Sequence, residues 1–292
     1  MLVDFDYKNL IDKMLKTIDK NGLGTIKNIL MRVLDLINNP EISAREITEL
    51  IELDPTMSAK VLKLANSSLY GSGKDINDIK GAIVRIGFDN VKEIVVSQSI
   101  FDFYNLNGDF KTFSGKKLWQ HSLEVALFSK YLYRREFKKQ GNDAYSAGLL
   151  HDIGIIIESQ AIENSFKDCL KTARKLENDL FQVENYILGF NHSDIGMEFG
   201  KLWFFPEEIK SVIKNHHVPN NSSKHEKLVK TIFLAEFITA DEEDIFTDIY
   251  QDENREMFKK ITEDYKISEE AIDLIKEQVC SDIENYQKEG LF

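Results

Sequence analysis

The sequence predicts an all-α fold, and three observations predict it. Apolar residues recur at spacings of three and four through most of the chain, the period of helices with one buried face. No segment sustains the apolar–polar alternation between hairpin turns that marks a half-buried strand. Helix breakers are sparse, with 4 prolines and 15 glycines in 292 residues. About fourteen helices and little or no sheet follow from the pattern.

The helix starts can be read in order. Ser43 with Glu46 forms a capping-box pattern ahead of the run Ile47 to Leu53. Asp54-Pro55 reads as an N-cap with proline at the first helical position. Gly87 reads as a helix stop and Asp89 as the next N-cap. Asn191 with Asp194 gives another cap, and Gly154 closes an apolar helix end in GLLHDIG. Ser268 with Glu269 and Glu270 starts the last helix, where early acids suit the helix dipole.

The length fits one large domain or two subdomains sharing an interface. Residues 1–105 are read as an N-terminal helical lobe, 106–245 as a helical core holding all six histidines, and 246–292 as acidic helices. The polar, glycine-bearing stretch Leu106 to Gly115 is the best internal boundary. The charge run DEEDIFTDIYQDENRE reads as a solvated face.

Composition narrows the function. Lys+Arg total 37 against 49 Asp+Glu, a net charge of -12. That balance opposes nonspecific binding to nucleic acid or to anionic membranes, since both need cationic partners. It leaves room for a small anionic ligand held by a local cationic or metal site. The N-terminus has no apolar core of a signal peptide and no apolar run is long enough to span a bilayer, so the expected location is cytoplasmic. Cys169 and Cys280 are too few and too far apart for a disulfide framework or a zinc pattern, and read as reduced thiols in helices.

Histidines and acids carry the chemical signal. Their order is His121, His151-Asp152, His192, then His216-His217, with Glu236 in the next helical pattern. Each has an ordinary reading: His121 as a packed helix residue, the His-His pair as a cation at a helix C-terminus, Glu236 as a salt-bridge partner. His225 is taken as such an ordinary residue. Together, imidazoles and carboxylates are the ligand set of a divalent transition metal rather than calcium. The absence of cysteine disfavours structural zinc. Zinc, iron, manganese, cobalt and nickel all suit such ligands; iron or manganese is the expectation, as one or two ions, and a pair would sit roughly 3.5–4 Å apart and activate water at neutral pH. His121, His151, Asp152, His192, His216, His217 and Glu236 are the candidate metal ligands, with His151 and Asp152 the candidate catalytic pair.

At these residues the chain resembles the HDOD family, regulatory relatives of the HD-GYP metal-dependent phosphohydrolases. LDPTMSAKVLKLANSSLYG (from Leu53) resembles the family's N-terminal signature, and INDIKGAIVRIGFDNVKEIVV (from Ile76) the segment after it. LWQHSLEVALFSKYL resembles the W-x-H-S helix, AGLLHDIG the HD motif, and NHSDIGMEFGKLWFFPEEIKSVIKNHH the closing segment. These five ordered blocks cover roughly residues 20 to 220.

The resemblance implies an N-terminal helical lobe, an HD-type helical core and a role in bacterial signal transduction. The HD-GYP relatives hydrolyse cyclic-di-GMP at a two- or three-metal centre, and their ligand positions look similar to the seven residues above. Three departures stand out. Ile155 occupies the place of their lysine after HD-x-G, which meets substrate phosphate. The chain continues Val218-Pro219-Asn220 where they carry the GYP loop, and Ala235-Glu236 replaces their Ala-Asp.

Three readings follow. In one, the chain is a regulatory module that binds a signalling partner or a small anionic ligand. In the second it is a phosphohydrolase or phosphodiesterase acting on a phosphoester, with Lys201 or Lys214 as a phosphate contact. In the third, the ligands persist around an empty site.

Overall fold

Capping chemistry sets the first helices where the sequence places them. The computed structural model describes residues 36, 39, 42–71, 75–104, 113–221, 224–240 and 252–289; among these, fourteen α-helices form and no β-strand. In α1 (Ala44–Glu52) the Glu46 amide donates to the Ser43 hydroxyl at 3.2 Å and the Ser43 amide to the Glu46 carboxylate at 2.8 Å, closing the capping box. Asp54 caps α2 (Pro55–Ala65), accepting from the Thr56 and Met57 amides at 3.0 and 3.1 Å. α3 (Ile79–Ile86) ends at Gly87, whose φ of 93° favours glycine. Asp89 is a correction: it is no cap but lies in the first turn of α4 (Phe88–Tyr104). The Gly87 carbonyl already accepts from Val91 at 3.1 Å, so α4 starts directly after α3.

α4 buries Val91, Ile94, Val95, Val96 and Ile100, residues spread around its circumference, because helices cover it on several sides. It packs on α1, α2 and α3, and also on α5 (Gly115–Glu136) and α6 (Asn142–Leu150). The Trp119 indole of α5 donates to the Ser97 carbonyl at 3.3 Å and meets the Phe101 ring edge-on at 4.9 Å. A buried ion pair between Glu93 of α4 and Lys130 of α5 adds a polar tie. One apolar core therefore runs through both halves of the described chain. Residues 106–112 of the expected boundary lie outside the described residues. Beyond them, Ser114 caps α5.

α5 is the central strut, contacted by α6, by α12 (Glu226–Thr239) and by α14 (Glu269–Lys288). α7 (Ile153–Ala161) packs on α8 (Glu163–Leu176) and α10 (His192–Leu202), α8 on α9 (Leu180–Ile187), and α10 on α11 (Glu207–Asn215), which meets α6 and α12, while α13 (Asp252–Tyr265) leans on α12. A Cβ at Gly148 would lie 2.6 Å from the Ala126 Cα, so α6 crosses α5 at close range. The C-terminal helices pack on the rest: Ser268 caps α14 as expected, and Tyr131 of α5 donates to Asp282. Of the acidic run, residues 241–251 lie outside the described residues. Cys169 is buried in α8 and Cys280 exposed in α14, both free thiols. Among the described residues no helix is long and apolar enough to cross a membrane.

Candidate metal centre

Five helices and the turns that end them deliver the candidate ligands to one place. His121 stands on α5, and His151 and Asp152 form the junction between α6 and α7. His192 is the first residue of α10, after an Asn191–Asp194 capping box. His216 and His217 follow α11, and Glu236 stands on α12. All seven are buried. They fall into two groups, Asp152 with His192, His216 and His217, and His121 with His151 and Glu236; within each, the candidate ligand atoms lie within 4.8 Å of one another. His225 stands apart, at the start of α12 with φ 62°.

Asp152 links the groups. Its Oδ1 lies 3.5 Å from His192 Nε2 and 3.4 Å from His216 Nε2. Its Oδ2 lies 3.2 Å from His151 Nε2 and 3.9 Å from His121 Nε2. On the far side of the second group, Glu236 Oε1 lies 3.9 Å from His217 Nδ1. The remaining ring nitrogens are held in place: His151 Nδ1 donates to the Gly148 carbonyl at 2.7 Å, and His216 Nδ1 faces the Ile213 carbonyl at 3.0 Å. Their Nε2 atoms are thereby turned to Asp152.

The electrostatics suit a cation. Burial alone would push the Asp152 carboxyl up, but the imidazoles packed around it, His151 first, hold it well below the ordinary carboxylate range. Burial pushes His216 and His217 well below the ordinary imidazole value, and neighbouring histidines push the same way, so both are neutral lone-pair donors at physiological pH. Both Asp152 oxygens and the Nε2 atoms of His151 and His216 are buried without a hydrogen bond. Polar atoms left so are costly, and a shared cation would satisfy all four. The residues present therefore fit a divalent transition metal.

A second layer escaped the sequence reading. Glu184 of α9 is fully buried, and its Oε2 lies 2.7 Å from His192 Nδ1. Glu158 of α7 is also fully buried; burial, then the neighbouring Glu184 carboxylate, push its own carboxyl well up. Burial and Glu184 likewise push the Cys169 thiol up to about 12. The Phe181 ring lies 4.5 Å from the His217 ring. A glutamate eight residues before a histidine, on another helix, leaves no local signal. One reading is corrected. Gly154 is no helix stop but sits in the first turn of α7, against the start of α10. Lys201 pairs with Glu198 and Lys214 with Asp194, all four side chains partly exposed.

The family model described as the HDOD domain matches residues 23–219. Glu236 lies beyond that span, yet the fold returns it to the cluster. The crystal structure of an HDOD domain protein of unknown function from Geobacter sulfurreducens is similar, with TM-score 0.76 and 24% identity, covering 98% of this chain and 99% of that one. A structure named as a candidate phosphohydrolase, from Shewanella amazonensis SB2B, has TM-score 0.66 and 21% identity over 90% of this chain and 91% of that one. At these identities both likenesses speak for the fold. An uncharacterised protein of Treponema pallidum (strain Nichols) is 24% identical over 212 residues, 70% of this chain and 40% of the relative, so the chain spans less than half of that protein's length.

Proposed function

The chain belongs to the HDOD family, and from that premise we propose that it is a metal-holding regulatory module of bacterial signal transduction. It acts in the cytoplasm by binding a signalling partner or a small anionic ligand, without turnover. One observation carries this reading: the centre is closed. His151, Asp152, His192 and His216 are 0% exposed, and His121, His217 and Glu236 no more than 6%. Ile155 is itself buried where the HD-GYP enzymes place their phosphate-binding lysine, and Lys201 and Lys214 are engaged elsewhere. The two ligand groups would hold iron or manganese. Held by five helices, the metal contributes folding energy and rigidity to the surface that a partner reads. The net charge of -12 argues against nucleic acid and membrane as partners.

A second reading is a metal-dependent phosphohydrolase, favoured by the place of Asp152 between two ligand groups. Asp152 and the histidines around it would hold the metal, which would supply Lewis acidity for a phosphoryl oxygen and for water near neutral pH. His151 and Asp152 would then be the catalytic pair.

Metal analysis of protein purified without chelator or affinity tag tests both, followed by a phosphoester screen that includes cyclic dinucleotides. About one to two equivalents of iron or manganese with no hydrolysis supports the module. Hydrolysis that Asp152→Ala abolishes, while the fold survives, supports the enzyme instead. Less than about a tenth of an equivalent after incubation with those metals sinks both.

A further inference from the structure

His192 opens α10, where the backbone N–H has no acceptor within its own helix. Glu184 supplies one from α9. Its Oε2 accepts from the His192 amide at 2.9 Å and lies 2.7 Å from His192 Nδ1, so one oxygen grips both the backbone and the ring. α9 is itself fixed at its start, where Asp179 accepts from the Gln182 amide at 2.8 Å. A carboxylate only accepts, so Nδ1 carries the proton and Nε2 keeps its lone pair. That lone pair faces the centre, 3.5 Å from Asp152 Oδ1 and 2.7 Å from His217 Nε2. Two imidazole lone pairs this close repel unless a proton or a cation lies between them.

We propose that Glu184 is the positioning residue for the group formed by Asp152, His192, His216 and His217, fixing the His192 tautomer and thereby setting that group's metal affinity. The inference rests on the metal reading above. It makes the two groups unequal. His151, in the other group, leans on a neutral backbone carbonyl, whereas His192 leans on a buried carboxylate, which makes its imidazole the more basic ligand. Removing a partner of this kind costs about 10–100-fold in metal affinity.

Two measurements test it. Long-range 1H–15N NMR of the metal-free wild-type protein reads the His192 tautomer directly. Protonation at Nδ1 is expected, and protonation at Nε2 overturns the proposal even if a Glu184 variant fails to fold. Titration of metal-free Glu184→Gln with Co2+, followed by its visible absorption, is expected to show affinity lower by about 10–100-fold with unchanged helical circular dichroism. Wild-type affinity in the folded variant overturns the proposal. Wild-type protein that takes up no Co2+ overturns the metal reading and the affinity claim built on it, and the NMR result then decides separately whether Glu184 sets the His192 tautomer.

Discussion

Gly154 and His192 meet backbone to backbone: a Cβ on Gly154 would lie 1.8 Å from the His192 carbonyl oxygen and 2.6 Å from its carbonyl carbon. No rotamer change relieves such a clash, so α7 and α10 would have to part. Asp152 lies just before α7 and His192 begins α10, so parting the helices separates a carboxylate from an imidazole that now sit 3.5 Å apart. Gly154→Ala is therefore expected to cost about 1–3 kcal/mol or more in denaturant unfolding and to lower metal content. Gly200→Ala is the control, since the nearest neighbours of its Cβ would be side-chain atoms, Lys210 Cγ at 3.0 Å and Phe205 Cδ2 at 3.4 Å, rather than another backbone. Equal stability of the two variants would sink the account.

Asp152→Asn keeps the shape of the side chain and removes its charge. Because Asp152 faces both ligand groups, the variant is expected to retain less than about a tenth of the wild-type metal. His121→Ala leaves Asp152, His192, His216 and His217 in place and is expected to keep part of it. Metal analysis of the two variants beside wild type decides; full metal content in Asp152→Asn would remove Asp152 from the ligand set.

The centre also gives the metal-free protein a pH signature. His216 and His217 are held below their ordinary value in the fold, so unfolding lets them take up protons. Their contribution to stability is full above about pH 6.5 and is lost as pH falls below it toward the depressed values. Glu158 works the other way. Its carboxyl is raised in the fold, so its contribution is full below about pH 4.5 and is lost as pH rises toward the raised value. Glu158→Gln removes that loss. Its stability relative to wild type, from urea midpoints between about pH 5 and 8, is expected to grow with pH. A difference constant across that range would refute the assignment.

Much of this was legible in the sequence. The caps at Ser43, Asp54, Asn191 and Ser268 are local chemistry, and local chemistry fixed those helix starts. His121, His151, Asp152, His192, His216, His217 and Glu236 stand in recognisable blocks, and the fold gathers all seven. What escaped was tertiary. Asp89 comes two residues after Gly87 and has a capping side chain, but α4 has already started at Phe88. Gly154 reads as a stop because glycine ends helices, whereas it is glycine here because another backbone presses on it. Glu184 sits in LFQVENYI like a solvent-facing residue, and its contact with His192 exists only once α9 and α10 are folded together.

Metal removal gives the most direct test of a closed centre. The ligands come from α5, the α6–α7 junction, α10, the end of α11 and α12, so a bound ion ties together segments that separate on unfolding. Binding to the native state alone adds about 2.7 kcal/mol when free metal is 100 times its dissociation constant. For a chain of this size that corresponds to a melting temperature higher by roughly 5–10 °C. Wild-type protein loaded with iron or manganese is expected to lose that increment on treatment with a chelator and to regain it on reloading. Asp152→Asn is expected to show no shift in either direction. A melting temperature that ignores both chelator and metal would mean that the histidines and acids of this cluster pack without an ion, and would sink the metal-holding module.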